Sequence, residues 1–234
     1  MFDFDGKHVL VTGATSGIGC AIARAFSVAG AQVLAVGLPP QEHLPAPIRA
    51  ETLDVTNTAA IEKFIGGLHE LHIVVNAAGI IHRDEEFKID VFQHVIDVNL
   101  IGAMRISQAA YPKLKASHGS IINIASMLSF FGGPRVPAYS ASKGGIVQLT
   151  RSLAVAWAAD SIRVNAVAPG WIATPLTQAL QDDPKRSAEL VSRTPLARWG
   201  QPEEIAAPVL FLASKAASFI TGAVLPIDGG YSAA

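Results

Sequence analysis

Tyr139 and Lys143 stand four residues apart in a stretch that reads as helix, so their side chains share one face. A phenol, with a reference pKa of about 10, is a poor base at neutral pH. A neighbouring ammonium favours the phenolate, so the pair could exchange a proton with a substrate oxygen. Ser126 follows an apolar run, 120–125, that reads as a strand. Ligands of open α/β sheets gather at the carboxyl ends of strands. Taken alone, a Tyr–Lys pair at helical spacing is more often surface decoration. A second constellation is Thr12-Gly13-Ala14-Thr15-Ser16-Gly17-Ile18-Gly19, between a first apolar run and a first helix. Glycines let a backbone turn sharply and approach a ligand closely. The free N–H groups at a helix start favour a phosphate. The spacing is G-x-x-x-G-x-G, and no Lys-Ser/Thr follows Gly19, so a Walker-type loop is not expected.

The elements that must position these residues alternate along the chain. Strands are expected at 7–12, 32–36, 51–55, 72–75, 120–125, 162–167 and 224–227. Helices are expected at 16–29, closed by Gly30, and at 58–68, 139–159 and 202–213. A long helical stretch spans 90–116, with Pro112 bending or ending it, and Pro208 should kink the last helix. Residues 37–50 carry Pro39, Pro40, Pro45 and Pro47 and read as a loop or broken helix. Residues 175–192 read as a helical excursion. Most strands lack polar alternation, as strands covered by helices on both faces do. The expected fold is therefore a single-domain, doubly wound α/β Rossmann-type parallel sheet with helices on both faces.

Composition narrows the function. Half of the 234 residues are hydrophobic and 16% are charged, which excludes a disordered chain. Mean hydropathy is +0.36. A net charge of −1 gives no footprint for nucleic acid or an anionic membrane. Cys20 is the one cysteine, so no disulfide framework or cysteine-based zinc site is expected. The reading is a soluble, reduced, cytoplasmic globular protein.

Several motifs together resemble the short-chain dehydrogenases/reductases: residues 12–19, Asn76-Ala77-Ala78-Gly79, Asn99, Ser126, Tyr139-Ser140-Ala141-Ser142-Lys143 and Pro169-Gly170, in that order over residues 6–230. The resemblance implies that Tyr139 is the acid/base, that Lys143 lowers its pKa and holds the nicotinamide ribose, and that Ser126 binds the substrate oxygen. It implies that Asn99 holds a water in the proton relay. Gly13, Thr15, Ser16, Gly17, Ile18 and Gly19 would take the cofactor diphosphate, and Asp54 and Val55 the adenine. Asn76, Ala77, Ala78 and Gly79 would line the adenosine side and brace the sheet. Pro169, Gly170, Ile172 and Thr174 would meet the nicotinamide carboxamide, and residues around 170–200 would form a substrate lid. A homotetramer or homodimer is also implied, with Trp157 and 154–159 between subunits; ordinary core packing is the alternative there. No metal is implied.

Two departures from the family pattern bear on the cofactor: one at the end of strand two and in the glycine turn, the other the Pro-rich stretch after Leu38, which stands where the family has a helix. Gly37 stands where NAD enzymes of this family end the second strand in an acid, and Leu38 stands where many NADP enzymes have arginine. Ser16 replaces the basic residue that many NADP enzymes place in the glycine turn. With no cation to meet a 2′-phosphate, NAD is favoured, and NADP is not excluded. Residues 121–143, 79–83 and 193–200 further resemble the 2-dehydro-3-deoxy-D-gluconate dehydrogenase subgroup. A sugar acid needs a cation for its carboxylate, and Arg83 and Arg135 are the candidates beside Ser126 and Tyr139, against the reading of each as a solvated surface arginine. Arg198 is given a structural role. The rival substrate class is a 3-oxoacyl group on a carrier protein, or a general carbonyl. A non-catalytic dinucleotide sensor and a methyltransferase on the same sheet are the other classes. His69-Glu70-Leu71-His72 is one residue short of the zinc motif H-E-x-x-H. Asp182-Asp183 and Glu203-Glu204 read as helix-start charges.

Overall fold

In the computed structural model, which describes residues 2–39 and 44–233, seven parallel strands form one sheet. They are β1 (His8–Thr12), β2 (Gln32–Gly37), β3 (Arg49–Thr52), β4 (Ile73–Asn76), β5 (Ser120–Ile124), β6 (Arg163–Pro169) and β7 (Val224–Ile227). Their order is β3-β2-β1-β4-β5-β6-β7, so the chain reverses direction across the sheet between β1 and β4. That reversal is the crevice where doubly wound sheets bind ligands. The central strands β4 and β5 are buried throughout, whereas the edge strands β3 and β7 are largely exposed or half-buried.

Successive strand residues face opposite layers. Val9 and Val11 of β1 join a core with α1 (Gly17–Val28) and α8 (Pro202–Ala213), while Leu10 between them faces α2 (Thr58–Gly66) and α4 (Gly102–Ser117). The helix α5 (Pro137–Trp157) completes that second layer through Leu153 and Ala154. Trp157 leans on Tyr111, ring centroids 5.0 Å apart, and packs against the same core.

Local chemistry sets the boundaries. Gly30, at φ +91°, lies just beyond α1, and the Asn57 side chain caps α2 by accepting from Ala60 N at 3.0 Å. Proline occupies the first turn of α5, of α7 (Pro184–Ser192) and of α8, where its missing N–H costs nothing. Pro112 and Pro208 sit inside α4 and α8, and α4 continues five residues past its proline to Ser117 rather than ending there. The expected strand at 51–55 is shifted to Arg49–Thr52: Asp54 accepts from Thr56 N and Oγ1, both at 2.8 Å, and that turn ends pairing. The long helix expected at 90–116 is two helices, α3 (Ile89–Ile96) and α4, joined by a π-helical turn over Asp97–Ile101. The excursion after β6 is a 3-10 turn (Pro175–Thr177), α6 (Gln178–Gln181) and α7. Asp183 caps α7, accepting from Lys185 N and Arg186 N, and Glu204 binds both Arg198 and Gln201 N at the start of α8. Part of the proline-rich loop, Pro40 included, lies outside the described residues. Among the described residues no helix is long and apolar enough to cross a membrane.

Candidate active site

A cleft of about 580 Å³ opens over the carboxyl ends of β1, β2, β4, β5 and β6. Its first wall is the glycine turn. Gly13 and Gly17 take φ +62° and +54°, a region that favours glycine. A Cβ on Gly13 would lie 2.6 Å from the Ala78 backbone, and one on Gly19 would lie 2.2 Å from the Gly13 carbonyl oxygen. Thr12 Oγ1 accepts from Ala77 N (3.2 Å) and Ala78 N (3.3 Å), which joins this turn to the loop after β4. Ser16 is the N-cap of α1 yet makes no side-chain cap bond, and the first turn of α1 carries no acid. An uncapped start of a 12-residue helix, pressed close by glycines, fits a diphosphate.

The second wall is apolar. Gly37, Leu38, Leu53 and Val55 line it with Asp54. A Cβ on Gly37 would lie 2.8 Å from Thr15 Cγ2, so packing against Thr15 disfavours a side chain at the end of β2.

The third wall holds the reactive side chains. Ser126 ends the run after β5 and is the N-cap of a 3-10 turn, accepting from Leu128 N at 3.2 Å. Tyr139 and Lys143 lie in the first two turns of α5. Lys143 Nζ donates to the Ile124 carbonyl at 2.7 Å and lies 5.5 Å from the centroid of the Tyr139 ring. Burial pulls the lysine down to about 8. Burial pushes the Tyr139 phenol up, the Ser126 hydroxyl and the Arg83 guanidinium pull it back, and the Glu86 charge pushes it up. Lys143 Nζ thus pairs with Ile124 while staying close to the phenol ring, and Ser126 and Arg83 also favour the phenolate. Pro169, Gly170, Ile172 and Thr174 close the far end with Leu176 and Thr177.

Four expected residues stand apart from the cleft lining. Asn76 is buried beneath it, donating to Asn123 Oδ1 (2.9 Å) and Ser107 Oγ (3.1 Å), so its side chain takes the bracing part expected of it and lies outside the lining. Asn99 lies on the π turn, its amide donating to Ile80 O and Ser142 Oγ while Oδ1 accepts from Ile80 N. Both amide hydrogens are thereby used, and a relay water would need its backbone carbonyl or a remaining lone pair. Arg135 lies outside the lining, and its guanidinium forks onto the Asp84 carboxylate, with Nε at 2.7 Å from Oδ1. Arg83 sits at the rim, Nη1 3.5 Å from the Leu176 carbonyl, with its charge felt at Tyr139. Sequence reasoning missed Ile80, His94 and Val98 in the lining, and the buried Glu86 behind it. Helical spacing could have flagged His94, one turn before Val98; nothing in Asp84-Glu85-Glu86 marks the last acid as internal.

The chain is similar to known proteins over nearly its whole length. A family model described as enoyl-(acyl carrier protein) reductase matches residues 13–232. The 2-dehydro-3-deoxy-D-gluconate 5-dehydrogenase of Bacillus subtilis is 43% identical, covering 98% of this chain and 96% of the relative. A 3-oxoacyl-[acyl-carrier-protein] reductase of Thermotoga maritima is 39% identical, covering 97% and 98%. The crystal structure of a gluconate 5-dehydrogenase from Burkholderia cenocepacia, in complex with NADP and tartrate, superposes with a TM-score of 0.92 at 34% identity, covering 100% of this chain and 98% of that one. With the sheet order, the glycine turn and the Ser126–Tyr139–Lys143 wall, these likenesses show that the chain belongs to the short-chain dehydrogenase/reductase family, as an NAD(P)-dependent oxidoreductase of CH–OH groups.

Proposed function

We propose that the protein interconverts a secondary alcohol and a ketone on a sugar acid, with NAD(H) as its preferred cofactor. The carrying observation is that Ser126, Tyr139 and Lys143 line one wall of one cleft, with the Arg83 guanidinium at its rim and its charge favouring the phenolate. Tyr139 gives a proton to the substrate oxygen in reduction and takes it in oxidation. Ser126 hydrogen-bonds that oxygen and fixes its distance from the phenol. Lys143, protonated below about pH 8, holds the ribose beside the reacting carbon. Arg83 binds the substrate carboxylate, and residues 175–192 cover it as a lid. The bound nicotinamide supplies or accepts the hydride; the chain's part is to orient and polarise.

Support for NAD comes from the lining, in which Lys143, at the catalytic end, is the one lysine or arginine among the described residues. A 2′-phosphate would meet Ser16, Thr15 and Leu38 instead. The NADP held by the Burkholderia relative argues the other way, so both cofactors belong in the test. Exposed Val155 on α5 and Ile101 near the start of α4 suit a contact between copies, consistent with a homodimer or homotetramer.

The experiment follows nicotinamide absorbance with NADH and NADPH in parallel, on keto sugar acids and on 3-oxoacyl thioesters. Turnover of a keto sugar acid with NADH is expected. Turnover confined to the thioester with NADPH would overturn the substrate and cofactor together and leave the fold untouched. Tyr139→Phe is expected to lower turnover by about 100-fold or more while NADH still binds.

A further inference from the structure

The helix that carries Tyr139 and Lys143 has no cap of its own. Its N-cap is Val136, whose side chain accepts nothing, Pro137 brings no N–H, and the first turn holds no acid. The Tyr139 N–H goes instead to Glu86 Oε2 at 2.8 Å, across 53 residues of sequence. The other oxygen, Oε1, accepts from His82 N at 2.9 Å. Glu86 is 0% exposed. Burying a carboxylate is costly unless its oxygens are paired, and here each takes a backbone N–H. A serine or aspartate at position 136 could cap α5 without burying a charge. Routing the cap through Glu86 does something a local cap cannot: it ties α5 to the segment that carries Arg83. A second tie runs alongside, since Asp84 N donates to the Arg135 carbonyl at 2.9 Å and the Asp84 carboxylate takes the Arg135 fork. Residues 82–86 are thus pinned to 135–139 on both sides of Arg83.

We propose that Glu86 is a positioning residue for this active site: its buried carboxylate caps α5 at Tyr139 and fixes the Arg83 segment to that cap, so that the proton-transferring phenol and the carboxylate-binding guanidinium keep one spacing. The inference rests on the reading of Tyr139 as acid/base and of Arg83 as the substrate's cation. It adds a chemical consequence. Oxidation needs the phenolate, so its rate rises with pH as Tyr139 titrates. The Glu86 charge disfavours that phenolate, whereas Arg83 and the Ser126 hydroxyl favour it. The other charged or titratable side chains around them are Lys143 on the same helix, His94 on α3, His82, Asp84 and Arg135 in the two pinned segments, and Asp54 across the cleft.

The test compares wild type with Glu86→Gln, Glu86→Asp and Tyr139→Phe. It reads NADH affinity, amide exchange across 137–142, and the pH profile of kcat and KM for alcohol oxidation. Glu86→Gln keeps the shape but turns an amide N–H toward one backbone donor. It is expected to leave NADH affinity at the wild-type level, to speed exchange at the Tyr139 amide by about tenfold or more, and to lower kcat by about tenfold or more. The rising limb of kcat moves to lower pH, because the charge opposing the phenolate is gone. Glu86→Asp keeps the charge and loses reach, so kcat falls with the limb unmoved; this variant carries the test if the glutamine form does not fold. Wild-type kcat with an unmoved limb in folded Glu86→Gln overturns the proposal. So does a parallel loss of NADH binding and of exchange protection over the whole sheet, which is what a purely structural role produces. Retained turnover in Tyr139→Phe removes the acid/base reading instead, and exchange at Tyr139 then still judges the cap by itself.

Discussion

Lys143 carries a charge that the fold makes expensive. Its descent from 10.5 to about 8 corresponds to about 3 kcal/mol, at about 1.36 kcal/mol per pH unit. The unfolded lysine keeps its proton to about pH 10.5, so between about 8 and 10.5 the unfolded chain binds more protons than the folded one. Stability from this group therefore rises with pH through that window, and the whole cost is felt below it. Lys143→Met should remove both the cost and the slope. It also loses the bond to the Ile124 carbonyl, an offset of about 1 kcal/mol. The expected result is a variant about 1–2 kcal/mol more stable at neutral pH, with flatter stability toward pH 10 and no turnover. Denaturant unfolding of the cofactor-free protein at both pH values checks it, and equal slopes in the two proteins would remove the argument. The residues that act through type and spacing were legible in the chain: Ser126 after an apolar run, and Tyr139 and Lys143 one turn apart. What was not legible is what acts through tertiary pairing. Nothing in the run Arg83-Asp84-Glu85-Glu86-Phe87 tells that Glu86 turns inward while Asp84 pairs with Arg135.

The glycine turn is where an element depends most directly on single residues. Gly13 combines a positive φ with a Cβ position 2.6 Å from the Ala78 backbone. An alanine there must push the β4 loop away or leave its own conformation, and both disturb the backbone donors proposed to hold the diphosphate. Gly13→Ala is expected to weaken NADH binding by about tenfold or more and to destabilise the fold by about 1–3 kcal/mol. Fluorescence titration and thermal melting read the two effects, and wild-type values in both would show that the turn has room to spare. Gly66, exposed with nothing within 4 Å of its Cβ position, is the control that should tolerate alanine. Central strands were the elements easiest to read, because burial on both faces writes an unbroken apolar run: 120–125 and 72–75 miss by a single residue. β3 was displaced because it is an edge strand, exposed at Arg49, Ala50 and Thr52, and its end is set by a side-chain turn at Asp54 rather than by burial. The π turn at Asp97–Ile101 has no compositional mark, as it keeps helical periodicity on either side.

At the scale of the molecule, the order β3-β2-β1-β4-β5-β6-β7 decides where chemistry can occur, since the open crevice lies where β1 and β4 lead the chain in opposite directions. Cofactor binding there couples to stability of the whole sheet, because the glycine turn, the apolar recess and the Tyr139 wall belong to β1, β2 and β5 and to the helices packed on both faces. A ligand present at about 100 times its Kd stabilises a folded domain by about 2.7 kcal/mol. For a chain of this size that is a rise in Tm of about 5–10 °C. NADH and NADPH at equal concentration should therefore separate by their Kd values in one melting experiment, independent of any substrate. With no lysine or arginine among the described residues at the adenosine end of the lining, NADH is expected to give the larger rise. Leu38, half exposed at 54%, is the position from which a guanidinium could reach a 2′-phosphate. Leu38→Arg should raise the NADPH shift toward or past the NADH shift while leaving the NADH shift in place, because the diphosphate turn is untouched. A larger NADPH shift in the unmodified protein would mean that the hydroxyls of Thr15 and Ser16 and the backbone of the glycine turn already suffice to hold the phosphate.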